Sequence, residues 1–464
     1  MKDGTMVASL IAPELQQLIR RGDLTLLRNS LRDMPAVELA EIVEALSVEE
    51  MVVVFRVLPR PLAADVFEYL ELESQEELLR GMGKGEIAQL LDDMAPDDRT
   101  ELFEELPAQA TRQMLSLLSR EELQVAKTLL GYPEYSVGRL MTTDYVAIRA
   151  EWTISEVLDH IRRHGRDSET LNVLYVVDDV GRLLDDIRVR EILLASPDKK
   201  IAELMDHHIT ALQAFDDQEE AVAAFRKYDR VALPVTDSEG MLIGILTIDD
   251  VLDVAEEEAT EDIHKMGGLS AIETPYMATP VFGLVRKRAG WLVTLFIGEM
   301  LTATAMGYFE EEIARAVVLA LFVPLIISSG GNSGSQAATL VIRALALGEV
   351  GLRDWWHVVR REVIAGLALG SLLGAVGFLR VSAWSMWSDI YGPHWLLIAF
   401  TVGFSLIGVV MLGTLVGSTM PLIMKRLGAD PATSSTPFVA TFVDVSGLII
   451  YFAVAAVILS GTVL

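Results

Sequence analysis

The chain has 464 residues, is 51% hydrophobic and has no cysteine. That length suits several domains, and the missing cysteine excludes disulfides, Cys-ligated zinc and iron–sulfur clusters. Through Pro280 there are 56 acidic and 27 basic residues, and from Val281 onward 10 and 11. An acidic first part excludes nucleic acid and anionic lipid as its partners and favours cations. The opening residues contain no apolar run of signal-peptide length, which predicts a cytoplasmic N-terminus.

Residues 1–130 carry apolar residues at helical spacing with no strand-like alternation. Turn signals at Met34-Pro35, Pro59-Arg60-Pro61, Gly81-Met82-Gly83 and Pro107 cut them into short helices. The spacing predicts stacked helical hairpins in an acidic superhelix. Asp92, Asp93, Asp97 and Asp98 flank the turn Met94-Ala95-Pro96. They read either as a solvated face with a helix cap or as cation ligands.

From Val137 strands and helices alternate, and a pattern of about 60 residues occurs twice, over 137–200 and 201–256. The repeat resembles a tandem pair of cystathionine-β-synthase-type (CBS) domains, an α/β pair. The likeness is strongest at Gly244-Ile245-Leu246-Thr247 leading into Ile248-Asp249-Asp250. The resemblance implies that Thr247 and Asp250 contact the ribose and phosphates of a bound nucleotide such as ATP. The first copy departs from the pattern, with Arg188 for the hydroxyl and Glu191 for the Asp. Arg188 becomes a partner for phosphate only if it faces the same cleft. A dimerising scaffold is the competing reading of the pair.

Asp249, Asp250, Asp253, Glu256, Glu257, Glu258 and Glu261 then lie on one expected helix, and nothing basic precedes Lys265. Like charges at i, i+4 repel, so this stretch needs counter-ions. Residues 257–288 form a connecting segment ending in Arg286-Lys287-Arg288. An all-α membrane domain follows over 289–464, with five spans at about 290–309, 313–341, 359–384, 394–421 and 437–461. Arg286–Arg288, then Arg343, Arg353, Arg360 and Arg361, then Lys425-Arg426 mark the cytoplasmic loops, leaving the C-terminus outside.

The last span, Pro437 to Gly461, is long enough to cross a ~30 Å hydrocarbon core, and Asp444 lies about two turns into it. A carboxylate at that depth costs at least ~2.5 kcal/mol unless it faces a bundle interior or water, and a water-filled path for cations is the stronger reading. The second span holds Pro324-Leu-Ile-Ile-Ser-Ser-Gly-Gly-Asn-Ser-Gly-Ser-Gln336. Close packing explains its glycines; Asn332 and Gln336 point to a watery wall. Glu299 in the first span needs a partner or water, and no role follows for it from the sequence.

Taken together, PLIxxxGGNxGxQ, GxxxxxxxP and GADPAxxSxPFVxTxxDxxG behind an acidic helical domain and two CBS copies resemble the MgtE family of magnesium channels. The resemblance covers nearly the whole chain. It implies a multi-pass homodimer of the cytoplasmic membrane, embedded in lipid, with a pore lined mainly by the second and fifth spans. It also implies that Asp444 selects the ion, that the Ala440 carbonyl lies one turn earlier, and that Gly330, Gly331 and Asn332 form a wall. Mg²⁺ becomes the expected ion, with other divalent cations such as Co²⁺ as further partners. The physics agrees: Mg²⁺ sheds water reluctantly, prefers octahedral oxygen at ~2.1 Å and is often held through waters by few carboxylates. One Asp per subunit would match one hydrated dication. A gate follows if Asp92, Asp93, Asp97 and Asp98 face the Asp249–Glu261 helix and Mg²⁺ screens their repulsion, closing the pore when the ion is plentiful. Two rivals stand beside it: a Na⁺- or H⁺-coupled divalent transporter, and a membrane-anchored nucleotide sensor without transport. No nucleophile–base pair or phosphate loop favours an enzyme.

Overall fold

The computed structural model describes residues 4–166, 168–272, 276–277, 279–434 and 436–462. It divides into two compact units, Met1–Ala255 and Glu256–Leu464.

The first unit begins with short helices from Gly4–Arg21 to Arg120–Leu129. Most span only two or three turns, too few to persist alone, so packing holds them. Helices two apart in sequence pack together: Ala36–Glu44 on Arg60–Glu68, that one on Lys84–Asp93, and Val48–Val57 on Leu72–Gly81. This is the expected superhelix. Pro59, Pro96 and Pro107 sit at helix starts, where a missing N–H costs nothing. Leu27, Leu39, Val54, Phe67, Leu78 and Leu91 fill the core. Arg99 is wholly buried and donates to the Leu91 carbonyl at 2.9 Å and to Glu122 at 2.5 Å. A buried guanidinium without such partners would be strongly destabilising.

Among the described residues, two three-stranded sheets follow. In the first, β1 (Ala147–Ile148) runs parallel to β2 (Val173–Val177), which pairs antiparallel with β3 (Leu183–Arg188). In the second, β4 (Leu212–Gln213), β5 (Ala232–Thr236) and β6 (Leu242–Thr247) repeat that order. Each middle strand shifts register near its end, between Val176 and Val177 and between Val235 and Thr236. The repeat is thus carried down to backbone detail. Tyr145 donates to the Leu242 carbonyl at 3.1 Å, and Arg230 pairs with Asp186 at 2.9 Å, joining the copies. Helix Arg120–Leu129 is shared with this region, because Leu129 is fully buried beside Val137, Leu212 and Phe225.

Helix Ile248–Met266 crosses the division between the units. Of the connecting segment beyond it, residues 273–275 and 278 lie outside the described residues. The basic trio Arg286–Arg288 occupies the first turns of the helix Val281–Tyr308. Among the described residues, five segments are long and apolar enough to cross a membrane: Val281–Tyr308, Val317–Ala346, Leu352–Ser385, Trp395–Arg426 and Thr436–Leu459. They are called the first to fifth spans below.

Glycine decides how these spans pack. A Cβ at Gly417 would lie 2.0 Å from the Gly334 carbonyl oxygen, and one at Gly413 would lie 2.4 Å from the Gly330 oxygen. The second and fourth spans therefore meet backbone to backbone. Gly370 and Gly374 do the same for the third and fourth, with a Cβ 2.9 Å from Ile407 Cα and 2.7 Å from the Gly403 oxygen. The small-residue spacing Gly366, Gly370, Gly374 signals this contact in the sequence. Gly417→Ala is expected to destabilise the membrane unit by about 3 kcal/mol or more, since backbone cannot yield as a side chain can. Loss of monodisperse protein in detergent melting curves would show it, and an unshifted melt would refute it. The second span is broken at Leu321–Phe322, and Tyr451 of the fifth donates at 2.9 Å to the Leu319 carbonyl, which also accepts the Phe322 N–H at 3.1 Å.

Candidate ion path and acidic cluster

Asp444 lies two turns into the fifth span, a half-buried side chain in an otherwise apolar helix. Gly331 of the second span faces it. A Cβ there would sit 3.6 Å from Asp444 Oδ1 and 3.5 Å from the Ala440 Cβ. Three expected wall residues are therefore adjacent: Gly331, Ala440 and Asp444. Gly330 is turned elsewhere, its Cβ position only 2.5 Å from Val409 and 2.7 Å from Val443, so it serves helix packing. Asn332 and Gln336 are exposed on the outer side of their helix, Asn332 donating to Ser328 at 3.4 Å. Glycines pack inward with the buried Ser333, while the amides of Asn332 and Gln336 and the Ser328 hydroxyl face outward. Within a membrane, such a polar face requires a second protein surface or water.

The Asp444 carboxyl group lies within electrostatic reach of the carboxyl group of Glu299 from the first span. The two spans run parallel and are pinned at both ends: Trp291 lies against Phe438 at 6.4 Å between ring centroids, and Phe309 stacks on Phe452 at 4.8 Å. Parallel first and fifth spans enter from the same side, as the charge pattern requires.

In the first unit, Asp97 and Asp98 open the helix Pro96–Glu105 and approach Asp250, the fourth residue past Leu246. Burial raises Asp97 well above the ordinary carboxyl range, with Asp250, Asp98 and Glu169 adding to it. Burial and the Glu68 and Asp250 charges push Asp98 up to about 9. Burial and Asp65 push Glu68 to about 7, and burial with neighbouring Asp249 and Asp253 takes Asp250 to about 6, against the Thr247 hydrogen bond. Sequence reasoning missed Asp65, Glu68 and Glu169. Only the i, i+3 spacing of Asp65 and Glu68 hinted at them, and nothing marked Glu169. Asp92 is used differently, its Oδ1 accepting the Ser119 backbone N–H at 3.0 Å, and Asp93 is exposed. Among the described residues, no three His, Asp or Glu side chains are arranged to hold one metal ion directly.

Three family descriptions match in chain order: the MgtE intracellular N domain over 34–135, CBS domains over 137–198 and 201–257, and the MgtE divalent cation transporter over 323–454. The chain is 38% identical to the "Magnesium transporter MgtE" of Thermus thermophilus, covering 97% of this chain and 99% of that one. The chain belongs to the MgtE family. The crystal structure of the soluble part of a magnesium transporter is 28% identical, covers 54% of this chain and 99% of that one, and has a TM-score of 0.52. The cytosolic domain of the Mg²⁺ channel MgtE in complex with ATP is 35% identical, covers 52% and 99%, and has a TM-score of 0.49.

In this MgtE-family chain the carboxylates of Glu256–Glu261 belong to the second unit. Glu256 and Glu257 are exposed and Glu258 is half-buried. Lys265 bridges Glu261 at 2.7 Å and Asp430 at 2.7 Å, tying the helix end to the loop between the fourth and fifth spans. Burial works against the Lys265 charge, but its bonds to Asp430 and Glu261 prevail and raise its pKa. Burial and Asp430 push Asp262 up to about 6. Asp430 is not among the carboxylates expected of an ion site from sequence. Ser435 of the GADPAxxSxP motif lies outside the described residues.

At the expected nucleotide position the Thr247 hydroxyl donates to Asp250 at 2.5 Å, closing the two named residues on each other. Arg188 is exposed, and the carboxylate its charge acts on is Asp186, two residues back on β3.

Proposed function

We propose that this chain is a Mg²⁺-selective channel or transporter of the cytoplasmic membrane that admits Mg²⁺ and is closed by cytoplasmic Mg²⁺ bound at its acidic domains. Asp444 beside Gly331, in a span that is otherwise apolar, is the observation that carries this reading. A hydrated dication held through its waters needs oxygen at the wall and room for the shell, and a glycine next to the carboxylate leaves that room. A homodimer supplies the second surface that the outward amides require, with Asp444 of each copy on the axis and the C-terminus outside. Co²⁺ would share the path at lower preference.

Regulation rests on the carboxylates of Asp97, Asp98, Glu68, Glu169, Asp249 and Asp250, brought together by the packing of the helical domain on the CBS pair. A cation among them favours the docked arrangement, and its loss favours separation. The helix Ile248–Met266 leads from this cluster to the Lys265–Asp430 bridge beside the membrane spans. Nucleotide such as ATP would bind weakly near Thr247 and Asp250, since the surrounding charge repels phosphates unless Mg²⁺ accompanies it.

Mg²⁺ uptake into liposomes holding the purified full chain tests the transport reading, and uptake independent of Na⁺ and proton gradients separates it from coupled transport. The acidic cluster adds a pH dependence. Its carboxyls are raised in the folded state, so that state binds more protons than the separated one, and docking must weaken as pH rises. The stability present below the ordinary carboxyl value of 3.8 should be lost progressively as pH rises, Asp250's share by about 6 and Asp98's by about 9. Calorimetry of the full chain in EDTA is expected to show the soluble transition falling across that window, and millimolar Mg²⁺ should flatten the slope. A slope equal with and without Mg²⁺ would count against the cluster as an ion-binding site.

A further inference from the structure

Glu299 is a second carboxylate inside the membrane unit, and no role is yet attached to it. It lies in the middle of the first span, Val281–Tyr308, whose packing is chiefly on the fifth. At the next residue back, a Cβ on Gly298 would lie 2.8 Å from Thr441 Cγ2, so the two helices touch just where Glu299 reaches Asp444. The aromatic pairs Trp291–Phe438 and Phe309–Phe452 hold that register from both ends. One turn beyond Glu299, the Thr302 hydroxyl is buried with no hydrogen-bond partner among the described residues. The far side of Glu299 is exposed in the single chain. A carboxylate facing lipid there would be expensive, so it faces the same path as Asp444.

We propose that Glu299 is a specificity-determining carboxylate of the ion path, acting with Asp444 to prefer divalent over monovalent cations. This rests on the reading of Asp444 as the ion-selecting residue. Two carboxylates in contact at low dielectric repel strongly, and one monovalent cation leaves a net negative charge between them. One divalent cation offsets twice as much of that charge. A path carrying both groups on each protomer therefore gains more from Mg²⁺ than from Na⁺, and Glu299 orients Asp444 toward the ion by the contact itself.

The test compares Mg²⁺ and Na⁺ fluxes through purified full-length protein in liposomes. Glu299→Gln keeps the shape and can donate to Asp444, so it removes charge alone. It is expected to raise the half-saturating Mg²⁺ concentration roughly 3- to 30-fold and to increase Na⁺ flux when divalent ions are absent. Glu299→Ala is a second charge-free variant for the same measurement should the first accumulate poorly. Glu299→Asp retains the charge and should keep the preference for Mg²⁺ over Na⁺. Unchanged half-saturation and Na⁺ flux in the Gln or Ala variant would overturn the proposal, as would an Asp variant as leaky as the Gln variant. Asp444→Asn is run in parallel: if it too leaves flux intact, the pore reading itself fails, whereas a dead Asp444→Asn beside an unaltered Glu299→Gln refutes only the role of Glu299.

Discussion

Asp444→Asn is expected to abolish selective Mg²⁺ flux while leaving the protein folded and its oligomeric state unchanged. The amide has the size of the carboxylate, so Gly331 and Ala440 keep their contacts and packing is not disturbed. What disappears is the charge that compensates an ion entering a low-dielectric span, where partly unpaired charge costs several kcal/mol. A loss of two orders of magnitude or more in uptake rate corresponds to roughly 3 kcal/mol and is the expected scale. Asp444→Glu should be impaired as well, because one more methylene carries the carboxylate into the room needed by the ion's water shell. Unaltered flux and ion preference in Asp444→Asn would sink the pore assignment.

Removal of the helical domain is expected to leave a conducting protein that no longer closes when cytoplasmic Mg²⁺ is high. The helices through Leu115 supply Glu68, Asp97 and Asp98 to the acidic cluster but contribute nothing to the spans. The cut should fall before Ser119. Helix Arg120–Leu129 must stay, because Leu129 belongs to the core around Leu212 and Phe225, and losing it would unfold the second CBS copy instead of merely undocking the domain. The Glu104–Arg139 bridge at 2.8 Å is lost with the deletion; Arg139 is mostly buried, so it then needs water. Patch or flux recordings at low and high internal Mg²⁺ decide the matter. A deletion that inserts and still shuts at normal Mg²⁺ would contradict regulation through this cluster.

Much of the architecture was legible in the chain because its periods are strong. Helical spacing with proline turns predicts the superhelix, the double pattern predicts two sheets of one order, and five apolar runs predict five spans. The choice between glycine as packing and amide as wall in Pro324–Gln336 was also readable in part. Gly330 and Gly334 do pack on Gly413 and Gly417, while Asn332 and Gln336 stay outside. Treating Gly330 and Gly331 as one wall was too coarse, since neighbours on a helix point about 100° apart and only Gly331 meets Asp444.

Sequence by itself determined which residues carry charge and at what depth in an element they sit. Asp444 in an apolar helix, the acidic excess before Pro280 and the basic helix ends need no partner to be recognised. Which carboxylates meet was decided only by the tertiary structure. Asp97 and Asp250 are separated by more than 150 positions, and Glu299 and Asp444 by nearly as many, yet each pair is brought into electrostatic reach. Local periodicity reports the face a residue occupies within its own helix, but it carries no term for the distance between two helices. That distance is set by side-chain volume at the contact, here by glycines and a few aromatic pairs, and it turned Asp92 into a bond to the Ser119 amide while drawing Glu68 and Glu169 beside Asp98.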